Sequence, residues 1–267
     1  MRYFICLLFM IVMSGYGTGS GRDRVFAERE THDSTRSLPL PVLHRAPATA
    51  AATVNGRIEL SNSKLKARSG KIDASGVVVW LSPLDGPAPR KASGQRQVIT
   101  QRNKRFLPHV VAVETGSEVE FPNEDPFFHN VFSIFNGRRF DLGLYASGET
   151  RPVNFNRPGT SYIFCNIHPH MSAVVISLDT PYFAISDQAG NFTINNLPAG
   201  NFRLSVWHER AKPEILAALG RTVQVSGSGL DLGLIRVSEE GYVPRPHPNK
   251  HGQEYDSQHQ RPGYRKP

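Results

Sequence analysis

From Thr53 onward the chain is written in short alternating or β-branched runs at regular intervals: TVNGRIEL, GVVVWLSPL, HVVAVETGSEVEFPN, SYIFC, AVVISL, NFTINNL, NFRLSVWHE, RTVQV and LIRVS. Gly, Pro, Asn and Asp stand between them. Runs of this length, separated by residues that turn the chain, predict an all-β sandwich or barrel. The exception is AKPEILAALG, residues 211–220, where Pro213 suits a first helical turn, Ile215, Leu216 and Leu219 line one face, and Gly220 suits the stop. With 23 Gly and 20 Pro in 267 residues the sequence stays below the level of a collagen-like or low-complexity chain. Its length suffices for one large domain or two small ones.

The ends differ from the middle. Met1-Arg2, an apolar run from Tyr3 to Met13, and then SGYGTGSG suit a secretory signal cleaved near residues 17–20, so residues 1–20 are read as a signal peptide. The run has 11 residues where a span needs about 20, so no stable membrane span is expected. Residues 21–52 mix charge with scattered Pro and read as a linker. Residues 238–267 carry Pro and charge but almost no aliphatic side chains, the composition of a disordered tail. Its histidines, His247, His251 and His259, read as solvated rather than metal-binding.

Of the two cysteines, Cys6 lies in the signal, with five residues before it, too few for a lipoprotein signal. The exported chain keeps Cys165 alone, in a compartment where thiols usually pair. Its surroundings supply a reason. In SYIFC-NIHPHM, His168 follows Cys165 by three residues and Met171 follows by three more. A thiolate, an imidazole and a thioether in one tight loop favour copper over magnesium, calcium or zinc, and structural zinc sites do not use thioethers. A blue-copper site needs a second imidazole. His129, after the strand and turn EVEFPNEDPFF, is the best candidate, and its neighbour Asn130 is placed to tie the two ligand loops together by hydrogen bonds. His170 reads as solvent-facing or as a residue behind the ligands rather than as a ligand, because adjacent residues on an extended chain point apart. His109 and His208 have no partner motif and read as structural.

On these residues the chain resembles a cupredoxin of the plastocyanin–amicyanin kind, the compact Cys-x-x-His-x-x-Met loop being most similar to amicyanin. It also resembles the plastocyanin-like proteins labelled methylamine-utilisation proteins. The resemblance implies a Greek-key β-sandwich over residues 95–178 and one type 1 copper ion. Its strong ligands would be His129, Cys165 and His168, with Met171 as a long axial contact. It further implies an apolar docking patch from Phe127, Phe128, Ile167 and Pro169. Multicopper oxidases flank the thiolate with histidines, whereas the flanks here are Phe164 and Asn166, so no oxygen-reducing cluster is implied. A dinuclear copper centre would need a second nearby cysteine.

Residues 179–209 resemble the second half of a carboxypeptidase-regulatory-like or transthyretin-like sandwich, through Asp187, Gly190, Phe192 and the turn Leu197-Pro-Ala-Gly200. The Gly-initiated and apolar strands of the first half stand instead before the copper segment, in VNGRIEL and GVVVWL. This predicts that residues 53–94 and 179–237 make one Ig-like sandwich with the copper domain inserted, tandem arrangement being the alternative.

The expected function is single-electron transfer between partners by a periplasmic or secreted copper protein that is not an enzyme. No Ser/His/Asp array, nucleotide loop or paired-carboxylate pattern stands out. The formal charge of +8 falls to +7 without Arg2. That balance favours an acidic docking face on a redox partner, and scattered Arg without a stripe argues against nucleic acid. Two other readings stay open: a periplasmic copper carrier or sensor, and a wall or carbohydrate-binding adhesion protein with a non-redox copper loop.

Overall fold

The computed structural model describes residues 51–64, 66–67, 70–87, 96–134, 137–243 and 247–255. The expected signal peptide, nearly all of the linker, and residues 256–267 with His259 lie outside the described residues. Among the described residues the fold is all-β with one short helix.

Two strands open the chain, β1 (Ala52–Ser61) and β2 (Val78–Pro83). Ten follow: β3 (Gln97–Val98), β4 (Thr100–Arg102), β5 (Arg105–Leu107), β6 (Val110–Glu114), β7 (Ser117–Pro122), β8 (His129–Ser133), β9 (Phe140–Tyr145), β10 (Thr150–Phe155), β11 (Gly159–Phe164) and β12 (Ser172–Leu178). The chain then forms β13 (Phe183–Ile185), β14 (Asn191–Leu197), β15 (Gly200–Trp207), α1 (Pro213–Leu219), β16 (Arg221–Val225) and β17 (Leu230–Ser238).

Strand pairing sorts these into two sandwiches. In one, β14-β1-β17 face β13-β2-β15-β16; in the other, β10-β7-β3 face β6-β12-β11-β8-β9, with β4 and β5 as a separate hairpin. GVVVWL therefore ladders with strands after residue 180, Trp80 opposite Phe183 on one side and Ser205 on the other. The chain leaves the first sandwich after β2, builds β3–β12, and returns at β13.

The apolar runs follow from this layout. In β2 and the residue before it, Val77, Val79 and Leu81 enter the first sandwich's core, while Val78 and the half-buried Trp80 point the other way. Along β12, Ala173 and Val175 face the second core, and Val174, Ile176 and Leu178 join Val78 in a third apolar layer between the sandwiches. Both faces of these strands are covered, so continuous rather than alternating hydrophobicity is what burial demands. The strands β9 and β10 (FDLGLY and TRPVNF) carry no such run and much of each is exposed. That is why they escape a reading based on apolar pattern.

Residues 247–255 differ from the expectation of a featureless tail. They turn tightly, with the Asn249 side chain accepting from the His251 and Gln253 amides at 2.9 and 3.0 Å, and they lie against the second sandwich. One aromatic pair and a few hydrogen bonds hold them where aliphatic burial is lacking.

Two predictions follow from the packing. Gly190 has φ +86°, its amide bonds to Asp187 O, and a Cβ there would run into the Ile58 carbonyl. Gly190→Ala is expected to lose about 2–3 kcal/mol in urea unfolding, whereas Gly227→Ala, whose Cβ meets nothing within 4 Å, is expected to change little. At the edge of the shared layer, His109 Nε2 lies 2.7 Å from Glu209 Oε2. The bond to Glu209 raises the pKa of His109 above the ordinary imidazole range, and the Glu209 carboxyl is held low by His109 and Arg210 against the upward push of burial. The imidazolium contribution is full below the unfolded His value and lost as pH rises through the raised one; the carboxylate contribution is lost in acid. The excess in thermal midpoint of the native chain over His109→Gln is expected to peak at about pH 5–6.5 and shrink by about pH 8.5.

Candidate metal centre

The first ligand strand is set by a hairpin. Asn103 and Lys104 both adopt positive φ, 54° and 55°, between β4 and β5, as a two-residue turn of this kind requires. That conformation turns their amides onto one carboxylate: Asn103 N donates to Asp125 Oδ1 at 2.6 Å and Lys104 N to Oδ2 at 2.9 Å. The Asp125 carboxylate is almost wholly buried, and its Oδ2 accepts from His129 Nε2 at 2.8 Å. Burial pushes the Asp125 pKa up, but the hydrogen bonds from Lys104, His129 and Asn103 outweigh it and keep the carboxyl below its usual range. With Nε2–H donating to Asp125, His129 presents Nδ1 as a lone pair.

The second ligand segment is the turn from β11 to β12. Cys165 N donates to Met171 O at 3.3 Å and Met171 N to His168 O at 3.0 Å, so the loop closes on itself. Cys165 and Met171 are both fully buried in the second core. Backbone amides of Asn130, Ile167 and His168 aim at the Cys165 sulfur. The Asn130 side chain goes elsewhere, donating to Asp141 Oδ1 at 2.7 Å, so its main chain rather than its amide group links the two ligand segments.

Three donor atoms converge. Cys165 Sγ is 3.8 Å from His129 Nδ1 and 3.6 Å from His168 Nδ1, and the two nitrogens are 3.1 Å apart. The corners of such a triangle all lie about 2.0 Å from its centre, the length of a metal–imidazole bond. The residues fit a single first-row ion. His129 is fully buried and His168 half-buried. Burial lowers the pKa of both, and that of His168, further depressed by the charges of His129 and Lys104, falls to about 4. Both imidazoles are neutral near pH 7 and available as ligands. Burial raises the Cys165 thiol pKa, which the three amides only partly offset.

At the rim, Phe127 sets its ring against His129 and His168, with centroids 5.1 and 5.8 Å away, and Lys104 Nζ stands 5.5 Å above Phe127. Phe127, Phe128 and Ile167 are exposed, and Pro169 is half-buried. His170 is exposed, outside the cluster. His109 and His208 also lie outside it, each paired with a carboxylate, Glu209 and Glu239. Asp125 is the residue that the sequence reading missed. Its position four before His129 is the signal that marks it.

No protein-family model matches the chain, and no curated protein matches it. Among solved structures it is similar to a copper-containing nitrite reductase from Thermus scotoductus SA-01, at 25% identity over 36% of this chain with a TM-score of 0.31. A purple cupredoxin from Nitrosopumilus maritimus is 21% identical over 31% of this chain and 99% of its own, TM-score 0.29. Amicyanin from Paracoccus versutus is 20% identical over 38% and 97%, TM-score 0.28. The chain spans about a quarter of the nitrite reductase, 26% of its length.

Because the thiol is protonated at neutral pH and the imidazoles are not, binding one divalent ion should release about one proton. The apparent affinity is expected to rise about tenfold per pH unit between pH 6 and 7.5, as read by competition against a chelator. Removing the carboxylate behind His129, as Asp125→Ala, is expected to weaken binding by about 10–100-fold in the same titration.

Proposed function

We propose that this chain is an exported mononuclear type 1 copper protein that carries single electrons between redox partners and performs no catalysis of its own. The observation that carries the reading is the triangle of one thiol and two neutral imidazole nitrogens, with Met171 fully buried in the same core as the thiol. A soft sulfur, two nitrogens and a thioether suit copper among the common ions. Copper held there would supply a one-electron couple.

The protein's part is to keep its donors still. Asp125 fixes the ring and tautomer of His129. The amides of Asn130, Ile167 and His168 place positive dipole ends on the sulfur and favour its thiolate. Core packing around Cys165 and Met171 excludes water and resists rearrangement. Half-buried His168 brings one ligand ring to the surface, where Phe127, Phe128, Ile167 and Pro169 offer an apolar face for transient docking. Lys104 beside that face, with the chain's positive balance, supports a partner with an acidic docking surface. The signal-like residues 1–20 support a periplasmic or secreted location.

Voltammetry and electron self-exchange test this function. A reversible one-electron wave is expected from the copper-loaded protein, and Phe128→Glu is expected to slow self-exchange by roughly tenfold or more without moving the potential. Irreversible cycling, or transfer of the ion to an acceptor faster than it cycles, would favour a copper carrier instead.

A further inference from the structure

The ligand loop is held from outside by a distant part of the chain. Once β11 ends, the Cys165 carbonyl has no strand partner; it accepts from Tyr255 Oη at 2.7 Å, across 90 positions of sequence. Lys250 N donates to Asn166 Oδ1 at 3.0 Å, and Lys250 Nζ pairs with Asp141 Oδ2 at 2.8 Å. The His247 ring stacks on Phe164, the residue before the thiol, with centroids 4.0 Å apart and planes at 23°. Tyr255 meets the edge of His247 at 5.3 Å. Residues 247–255 thus touch the chain just before the thiol, at it and just after it, at Phe164, Cys165 and Asn166.

We propose that this segment is a positioning strap for the metal loop, holding its start at Cys165 and Asn166 in ligand geometry before an ion arrives and slowing its exchange afterwards. The argument rests on the metal reading above and adds to it. His129, Cys165 and Met171 are fully buried, and His168 is the half-exposed member. Because the thiol is fully buried, an outward swing of the loop between β11 and β12 would open a path by which an ion reaches or leaves it. Within itself the loop has two backbone–backbone hydrogen bonds, from Cys165 N and Met171 N, besides the amides that aim at the sulfur. The strap adds bonds to its outward polar groups, which would otherwise turn to water, and an aromatic stack that must part when the loop moves. Tyr255, Lys250 and His247 touch no donor atom; they act through the backbone that carries the donors.

The test compares the native full-length chain with Tyr255→Phe and with Tyr255→Phe/His247→Ala. In metal-free protein, amide hydrogen exchange at Ile167, His168 and Met171 is expected to accelerate about tenfold or more in the double variant and less in Tyr255→Phe, which keeps its ring. Exchange in β1 and β15 should not change. In copper-loaded protein, loss of the ion to a chelator is expected to accelerate by a similar factor. Unchanged loop exchange in the double variant would overturn the strap, and faster loop exchange with unchanged ion release would overturn its control of exchange. Should the chain bind no copper, the metal reading fails, while the metal-free exchange still decides whether the strap orders the loop.

Discussion

Everything near the mouth of the second sandwich depends on two imidazole nitrogens and a thiol brought within 3.8 Å of one another out of water. His129 donates its Nε2–H to the Asp125 carboxylate, so a lone pair on Nδ1 faces His168 across 3.1 Å. Burial keeps both rings neutral and the thiol protonated, and the cluster has no charge of its own to hold it together. A thiol proton and one imidazole proton can link these three groups only pairwise, whereas one cation at the centre would engage all three lone pairs at once. The surrounding architecture is best understood as what keeps these donors from relaxing apart.

That support is layered. The left-handed turn at Asn103 and Lys104 orients two amides, the amides hold Asp125, and Asp125 holds His129. On the other side, β12 is buried on both faces, between its own core and the layer shared with β2. The loop that carries Cys165, His168 and Met171 therefore ends on one of the least deformable strands of the molecule. The first sandwich takes part in this indirectly: β2 and β15 present the outer surface against which Val174 and Ile176 pack.

How much of this was legible in the sequence depends on how local each signal is. Strands with strong apolar content, such as GVVVWL and AVVISL, declared themselves, and the return of the chain to β2 after residue 180 could be anticipated from a broken motif. Strands β9 and β10 did not, because their half-exposed surfaces leave only Tyr145, Val153 and Phe155 to mark the core. Cys165, His168 and Met171 could be singled out because one short loop carries them. His129 enters the sequence reading only as the second imidazole that a blue-copper thiolate would need, and the structure brings its Nδ1 to 3.8 Å from the sulfur. Asp125 escaped the sequence reading, since its role depends on amides 21 and 22 residues upstream. The contacts of Tyr255 and His247 were beyond sequence pattern altogether, being single side-chain contacts from a segment whose composition predicts no order.

The most direct measurement of the central claim is the visible absorption spectrum of the copper-loaded full-length protein beside those of Cys165→Ser and His129→Ala. An intense thiolate-to-copper band toward the red, present at one copper per chain and absent from both variants, is the predicted result. A folded, copper-loaded native protein without that band, or a band that survives Cys165→Ser, would contradict it.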